Sequence, residues 1–197
     1  MGRAERYTDR YRPSGKRQEL ILARKPRPLK ARVTHLEMYA RPAQRVPLPI
    51  GQRVALMQVK NIPISFYRYL YEQVGRAHHW SLRRSGSDEE LRQILHAPSA
   101  EISVLYVDGA PAGFFELNLS DLPAVAELLY FGLMSEFQGR GLARFFLSEA
   151  IFAAWAHSPE KVIIQTNTLD SPLALRLYQK MGFSAVGWSE EEVEPWL

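Results

Sequence analysis

The passage Leu133-Met134-Ser135-Glu136-Phe137-Gln138-Gly139-Arg140-Gly141-Leu142-Ala143 joins an apolar run, two closely spaced glycines and the start of a helical pattern. Glycines at the end of a strand let the backbone take shapes other residues resist, and the helix that follows opens with N–H groups lacking an intrahelical partner. With the helix dipole behind them, such N–H groups form an anion site. A phosphate or pyrophosphate would sit against the amides of residues 139–143, with Arg140 and Arg144 supplying full positive charge. A Gly-x-Gly pair alone marks a tight turn as readily as a ligand site, so the reading needs a second segment.

That segment is Asn167-Thr168-Leu169-Asp170-Ser171-Pro172-Leu173-Ala174-Leu175-Arg176-Leu177-Tyr178-Gln179-Lys180-Met181-Gly182-Phe183. Together the two resemble the GNAT superfamily of acetyl-CoA-dependent N-acetyltransferases. Gln138-Gly139-Arg140-Gly141-Leu142-Ala143 is similar to its Arg/Gln-x-x-Gly-x-Gly/Ala pyrophosphate loop, and Leu177-Tyr178-Gln179-Lys180-Met181-Gly182-Phe183 to its late Leu-Tyr-x-Lys-x-Gly-Phe motif. The resemblance is close over residues 100–188 and extends over 33–99 only in element order. It implies a mixed α/β (α+β) fold with a mostly antiparallel central sheet, flanked by helices, whose middle strands splay apart to admit acetyl-CoA. By the same resemblance Phe131 and Leu133 pair their backbone groups with the pantetheine arm. Gln138, Gly139, Arg140, Gly141, Leu142 and Ala143 hold the pyrophosphate, and a bulky side chain at Gly141 would strike the phosphates.

Acetyl transfer to an amine needs a neutral nucleophile, a polarised thioester carbonyl and a protonated leaving thiol, because an alkyl ammonium with a pKa of ~10 has no free lone pair at neutral pH. The resemblance assigns the carbonyl to a backbone N–H of the splayed strand, with Leu133 the first choice. Tyr178 is the candidate acid; its phenol, ordinarily near pKa ~10, must be tuned by local fields to protonate a thiolate of pKa ~8.5. Glu127 is the candidate base, as in histone-type members, with partial burial to raise its pKa, and Glu116 is the alternative. A regular strand places Glu127, Leu129, Phe131 and Leu133 on one face.

Where the family usually has an asparagine before the motif tyrosine, this chain has Ser171, preceded by Asp170. Either of these is expected to cap the helix, leaving Asn167 at the strand end to face the cofactor. Few residues follow Trp188, so the family's final strand must be brief or supplied differently. His78 and His79 point in different directions and lack a third ligand at useful spacing, so no metal is expected. Trp80, Arg83 and Arg84 are read either as acceptor contacts or as parts of a structural loop.

The elements that position these residues follow from periodicity. Helical spacing runs from Ile64 to Val74, and Ser87 followed by Asp88, Glu89 and Glu90 opens a second helix reaching about His96. Asp108-Gly109 between two β-rich runs signals a hairpin of Ile102–Val107 with Ala112–Leu119, and Val125–Met134 is a third strand. A helix to about His157, a strand over Lys161–Asn167, a helix over Pro172–Met181 and a strand over Phe183–Trp188 complete the order. Val33–Tyr39 and Val54–Val59 have β character around the prolines Pro42, Pro47 and Pro49.

Composition sets the outer bounds. The 197 residues suit one domain with a tail, and 46% hydrophobic against 23% charged residues suits a folded core. Zero cysteines exclude disulfides and thiol nucleophiles and fit a cytoplasmic setting. The longest apolar run, Ala150 to Ala156, has seven residues, against the ~20 of a membrane-spanning helix. Residues 1–32 carry 11 Lys+Arg against 3 Asp+Glu and are expected to be a basic flexible N-terminal arm, with the acetyltransferase domain over 33–197. No nucleic-acid-reading motif accompanies the arm. The expected function is direct acetyl transfer from acetyl-CoA to a primary amine, on a small molecule or a peptide, in a ternary complex. A non-catalytic acyl-CoA-binding module that recruits a partner through the arm is the alternative. The resemblance leaves the acceptor open and admits a homodimer.

Overall fold

The computed structural model describes residues 27–196. Residues 1–26, most of the expected arm, lie outside the described residues. Strand β1 (Leu29–Met38) begins inside the expected arm, so Leu29 to Arg32 belong to the domain; Ala31 and Val33 on it are already buried. After β1 come β2 (Val54–Gln58), α1 (Ile64–Gly75), α2 (Asp88–Leu95), β3 (Ala100–Val107), β4 (Ala110–Asn118) and β5 (Val125–Leu133). Then follow α3 (Leu142–Ala156), β6 (Lys161–Asn167), α4 (Ala174–Lys180) and β7 (Ser184–Val193). From α1 onward this is the order the sequence predicts.

Local chemistry accounts for the boundaries. Ser87 Oγ accepts the Glu90 N–H and the Glu90 carboxylate accepts the Ser87 N–H at 2.8 Å, a reciprocal cap that starts α2. Asp108 and Gly109, at φ 51° and 87°, form the turn between β3 and β4. The proline-rich stretch 39–53 contains no helix or strand.

The seven strands form one sheet in the order β2-β3-β4-β5-β6-β1-β7, antiparallel at every junction except β5–β6. The question of the final strand is answered by β1, which enters from the other end of the chain between β6 and β7. Strand β7 itself runs through the acidic stretch Glu190–Glu192 to Val193. One face of the sheet carries α3 and α4 around Leu36, Phe115, Leu128, Phe146 and Ile164; the other carries α1 and α2 around Tyr67, Leu70, Phe114 and Tyr130. Among the described residues no helix is long and apolar enough to cross a membrane.

Two irregularities shape the centre. Strands β5 and β6 pair only over Val125–Leu128 and Lys161–Ile164; beyond that β5 stays with β4 as far as Leu133–Gly113, and β6 stays with β1 as far as Asn167–Val33. The sheet therefore forks. On β5, Glu116 faces Tyr130 while Leu117 faces Leu128, which leaves Leu129 as an extra, bulged residue. The bulge reverses the alternation expected for Glu127, Leu129, Phe131 and Leu133. Phe131 and Leu133 pack with the α3 core, whereas Glu127 lies opposite Asn118, on the α1 face that Glu116 shares.

Because β1 lies inside the sheet, a chain beginning at Tyr39 should lose cooperative thermal unfolding. A sharp melt of that truncated chain near the full-length temperature, followed by circular dichroism, would contradict this placement.

Candidate active site

The fork opens into a cavity of about 770 Å³ that reaches both faces of the sheet. On the α3 side it is lined by Phe131, Leu133, Thr166, Leu177, Tyr178, the loop residues Gln138, Gly139 and Gly141, and the start of α3 from Leu142 to Arg144; on the α1 side by Glu127, Tyr130, Asn167, Glu191 and residues 78–82.

The β5 edge of the fork is a strip of backbone polar groups. Met134 donates its N–H to Ala112 C=O at 2.9 Å, and antiparallel alternation then turns the N–H and C=O of Phe131 and Leu133 away from β4, toward the place β6 has left. Gln138 Nε2 reaches the Leu133 C=O at 3.0 Å on that edge, tying the loop to the strand. This bond occupies one of the acceptors expected to face the pantetheine arm.

The loop has the backbone of an anion cradle. Gly139 and Gly141 sit at φ 75° and 76°, and α3 starts at Leu142 with no side chain capping its first N–H groups. A Cβ on Gly141 would meet only Pro49 Cγ at 3.7 Å, so within the protein glycine is favoured there by its φ rather than by crowding. Arg144 lines the cavity, while the Arg140 guanidinium lies over the Phe137 ring, 5.0 Å from its centroid.

Tyr178 enters from α4. It is 6% exposed, stands edge-on to Phe131 and Phe183, and its Oη has no hydrogen-bond partner among the described residues. Burial, reinforced by the charge of Asp170, pushes its phenol well above the ordinary tyrosine range, so it keeps its proton. Asp170 does not cap α4. Its carboxylate accepts from Thr166 Oγ1 at 2.8 Å, from the Asn167 N–H at 3.0 Å and from Trp80 Nε1 at 3.4 Å. The residue before α4 is Leu173, with no side-chain cap bond, because the chain first turns through Ser171 and Pro172. Asn167 lines the cavity, but its Oδ1 accepts the Leu169 N–H at 2.8 Å and is spent on that turn.

The two carboxylates weighed as bases have separate fates. Glu116 is 1% exposed, and both of its oxygens are engaged, one by Tyr67 Oη at 2.5 Å and the other by Arg83 Nη2 at 2.7 Å. Burial works against the Arg83 charge, yet Glu116 outweighs it and holds the guanidinium pKa up. Burial, then Glu116, likewise raises Tyr67. Glu116 is thus a buried ion-pair partner, and Arg83, read from sequence as a candidate acceptor contact, belongs to the same structural pair. Glu127 is half-buried, lines the cavity and takes a single hydrogen bond, from Asn118 Nδ2 at 3.1 Å. Trp80 packs between Tyr71, Tyr130 and Phe114, as a structural loop residue would, and also lines the cavity. Of the histidines, the His78 ring contacts the Leu169 carbonyl, and His79 Nδ1 accepts the Trp196 N–H. The buried Glu116–Arg83 pair gave no sequence signal, since nothing in the spacing of its members links them.

The sequence matches the model of the acetyltransferase (GNAT) family over residues 65–183. Among solved structures, a GNAT-family protein from Novosphingobium aromaticivorans is similar with a TM-score of 0.58 at 16% identity, over 83% of this chain and 64% of that one. A ribosomal-protein-alanine N-acetyltransferase from Brucella melitensis gives 0.54 at 19% identity, over 70% and 96%. An aminoglycoside N-acetyltransferase in complex with CoA gives 0.51 at 17% identity, over 72% and 94%. At these identities the likeness is one of fold, and the chain spans less than two thirds of the Novosphingobium protein. A search of curated proteins found no match.

Glu116→Ala strands the Arg83 guanidinium in the core and should lower stability in urea by about 3–5 kcal/mol, whereas replacing both partners together with Leu and Met should recover most of that loss. A single-variant loss below about 1 kcal/mol would contradict the buried-pair assignment.

Proposed function

The chain belongs to the GNAT acetyltransferase family, and from that premise we propose that it moves the acetyl group of acetyl-CoA directly to a primary amine, both substrates being bound together. The observation that carries this reading is the cavity through the fork. A strip of strand backbone, an uncapped helix N-terminus and an unpartnered tyrosine phenol converge on its α3 side, while a carboxylate waits on its α1 side.

Bound acetyl-CoA supplies an acetyl group activated as a thioester. The amides of residues 139–143 and Arg144 hold the diphosphate, and the β5 edge takes the pantetheine arm as a neighbouring strand would. Of the two amides facing the fork, that of Phe131 lies roughly 10 Å along the strand from Glu127, against roughly 17 Å for Leu133. The Phe131 N–H is therefore the better-placed donor to the thioester oxygen as negative charge grows there, displacing Leu133 from that role.

Glu127 takes the proton from the incoming ammonium, directly or through water, and its Asn118 bond keeps the carboxylate turned toward the α1 face. Tyr178 donates to the departing sulfur. The burial that disfavours its phenolate also disfavours a thiolate in the same cavity, which narrows the gap between the two acids. The amine acceptor, a small molecule or a peptide, approaches from the α1 side past residues 78–82. A zero count of cysteines agrees with transfer without an acyl-enzyme. A cytoplasmic location and a homodimer remain parts of the proposal.

Tyr178→Phe should lower kcat by about 100-fold with little change in the KM for acetyl-CoA, and Glu127→Gln should lower kcat as well. Since the Tyr178 phenol is held above its ordinary value, it stays protonated on the alkaline side, and kcat should show no falling limb up to about pH 9.5. Free-thiol release on an amine panel measures all three. Unchanged rates in both variants would remove these assignments, and a wild type that binds acetyl-CoA yet acetylates no amine would favour a binding module.

A further inference from the structure

The segment between α1 and α2 forms the outer wall of the α1 half of the cavity, where His78, His79, Trp80, Ser81 and Leu82 line it. Its inner attachments have been described: Arg83 is ion-paired to Glu116, and the Arg83 N–H donates to Tyr71 Oη at 3.2 Å. Its outer attachments come from the far end of the chain. Trp196 donates its N–H to His79 Nδ1 at 3.1 Å and its indole Nε1–H to the Trp80 carbonyl at 2.8 Å. Its ring lies beneath two guanidinium groups of the same region, Arg76 at 5.6 Å and Arg84 at 5.2 Å from the centroid. Arg84 also donates to the Pro195 carbonyl at 2.9 Å and pairs with Glu194 at 3.5 Å.

These contacts concentrate on the wall. Residues 194–196 follow directly on β7, whose Glu191 and Val193 line the same cavity, so one continuous segment supplies part of the floor and then grips the wall. None of these contacts touches the loop 138–144 or Tyr178. A fixed wall matters because a surface loop left to itself samples many conformations, and ordering it upon binding subtracts from acceptor affinity.

We propose that Trp196 is a positioning residue for the amine acceptor: by clamping residues 76–84 against β7 it preforms the acceptor half of the cavity without taking part in cofactor binding. The proposal rests on the acetyl-transfer reading for the word acceptor; the clamp itself does not. Two of its elements are separable, since a phenylalanine keeps a ring beneath Arg76 and Arg84 but loses the indole bond to the Trp80 carbonyl.

The test compares wild type, Trp196→Ala and Trp196→Phe in the full chain. Trp196→Ala should raise the acceptor KM by about tenfold or more while the acetyl-CoA KM stays within about twofold, and Trp196→Phe should restore at least half of the loss on a logarithmic scale. Limited trypsin digestion supplies a readout independent of turnover: cleavage after Arg76 or Arg84 should be at least about tenfold faster in Trp196→Ala at a temperature where all three proteins are folded. An unchanged acceptor KM, a parallel rise of both KM values, or unaltered cleavage with a poor Phe rescue would overturn the proposal. If wild type acetylates no amine, the transfer reading fails and the acceptor role with it, while the digestion pattern still decides whether the clamp exists.

Discussion

The site depends on a gap that two neighbouring strands leave between them. Once β5 and β6 part beyond Leu128 and Ile164, the backbone groups of Phe131 and Leu133 face a space where a third strand would ordinarily pair. Backbone N–H and C=O groups shut away from water without partners are costly, and so this edge calls for a ligand that offers its own amides or for water. An extended, amide-bearing arm meets that need, and the uncapped start of α3 meets a diphosphate at its end. In the proposed reading, recognition rests on main-chain geometry, held in place by side chains farther away.

Beside the fork, β4, β5 and α1 come close together. A Cβ on Gly113 would run into the Gly132 carbonyl, and one on Gly132 would run into Val74 of α1, so two glycines let β4, β5 and α1 close up beside the opening. The bulge at Leu129 does the complementary work by sending Glu127 to one face and Phe131 to the other. On the proposed reading, two substrates then approach the same point from opposite sides of the sheet. The buried Glu116–Arg83 pair anchors the wall on the α1 side and, with Tyr67, engages both carboxylate oxygens of Glu116.

Much of this was legible in the sequence because its signals are local. The Asp108-Gly109 turn, the Ser87–Glu90 cap and the helical spacing after Gly141 each depend on residues close in the chain, and each element formed where the pattern placed it. What escaped depends on residues far apart. Strand β1 lies between β6 and β7 through pairings of Val33 with Asn167 and Ser189, which no local pattern announces, and so Leu29 to Arg32 read as arm. The bulge was hidden because Val125–Leu133 is apolar at every position except Glu127 and Gly132 and so carries no alternation that an extra residue could break; only the register with β4 reveals it. Glu116 looked like any strand carboxylate until the fold brought Tyr67 and Arg83 to it.

The central claim is that the exposed β5 edge and the start of α3 together receive the coenzyme. Amide hydrogen exchange with and without saturating acetyl-CoA reads this residue by residue. The account predicts slowed exchange at Phe131 and Leu133 and across residues 139–143, with residues 78–82 little changed until an amine is added. Protection confined to other parts of the chain, or none at all, would contradict it.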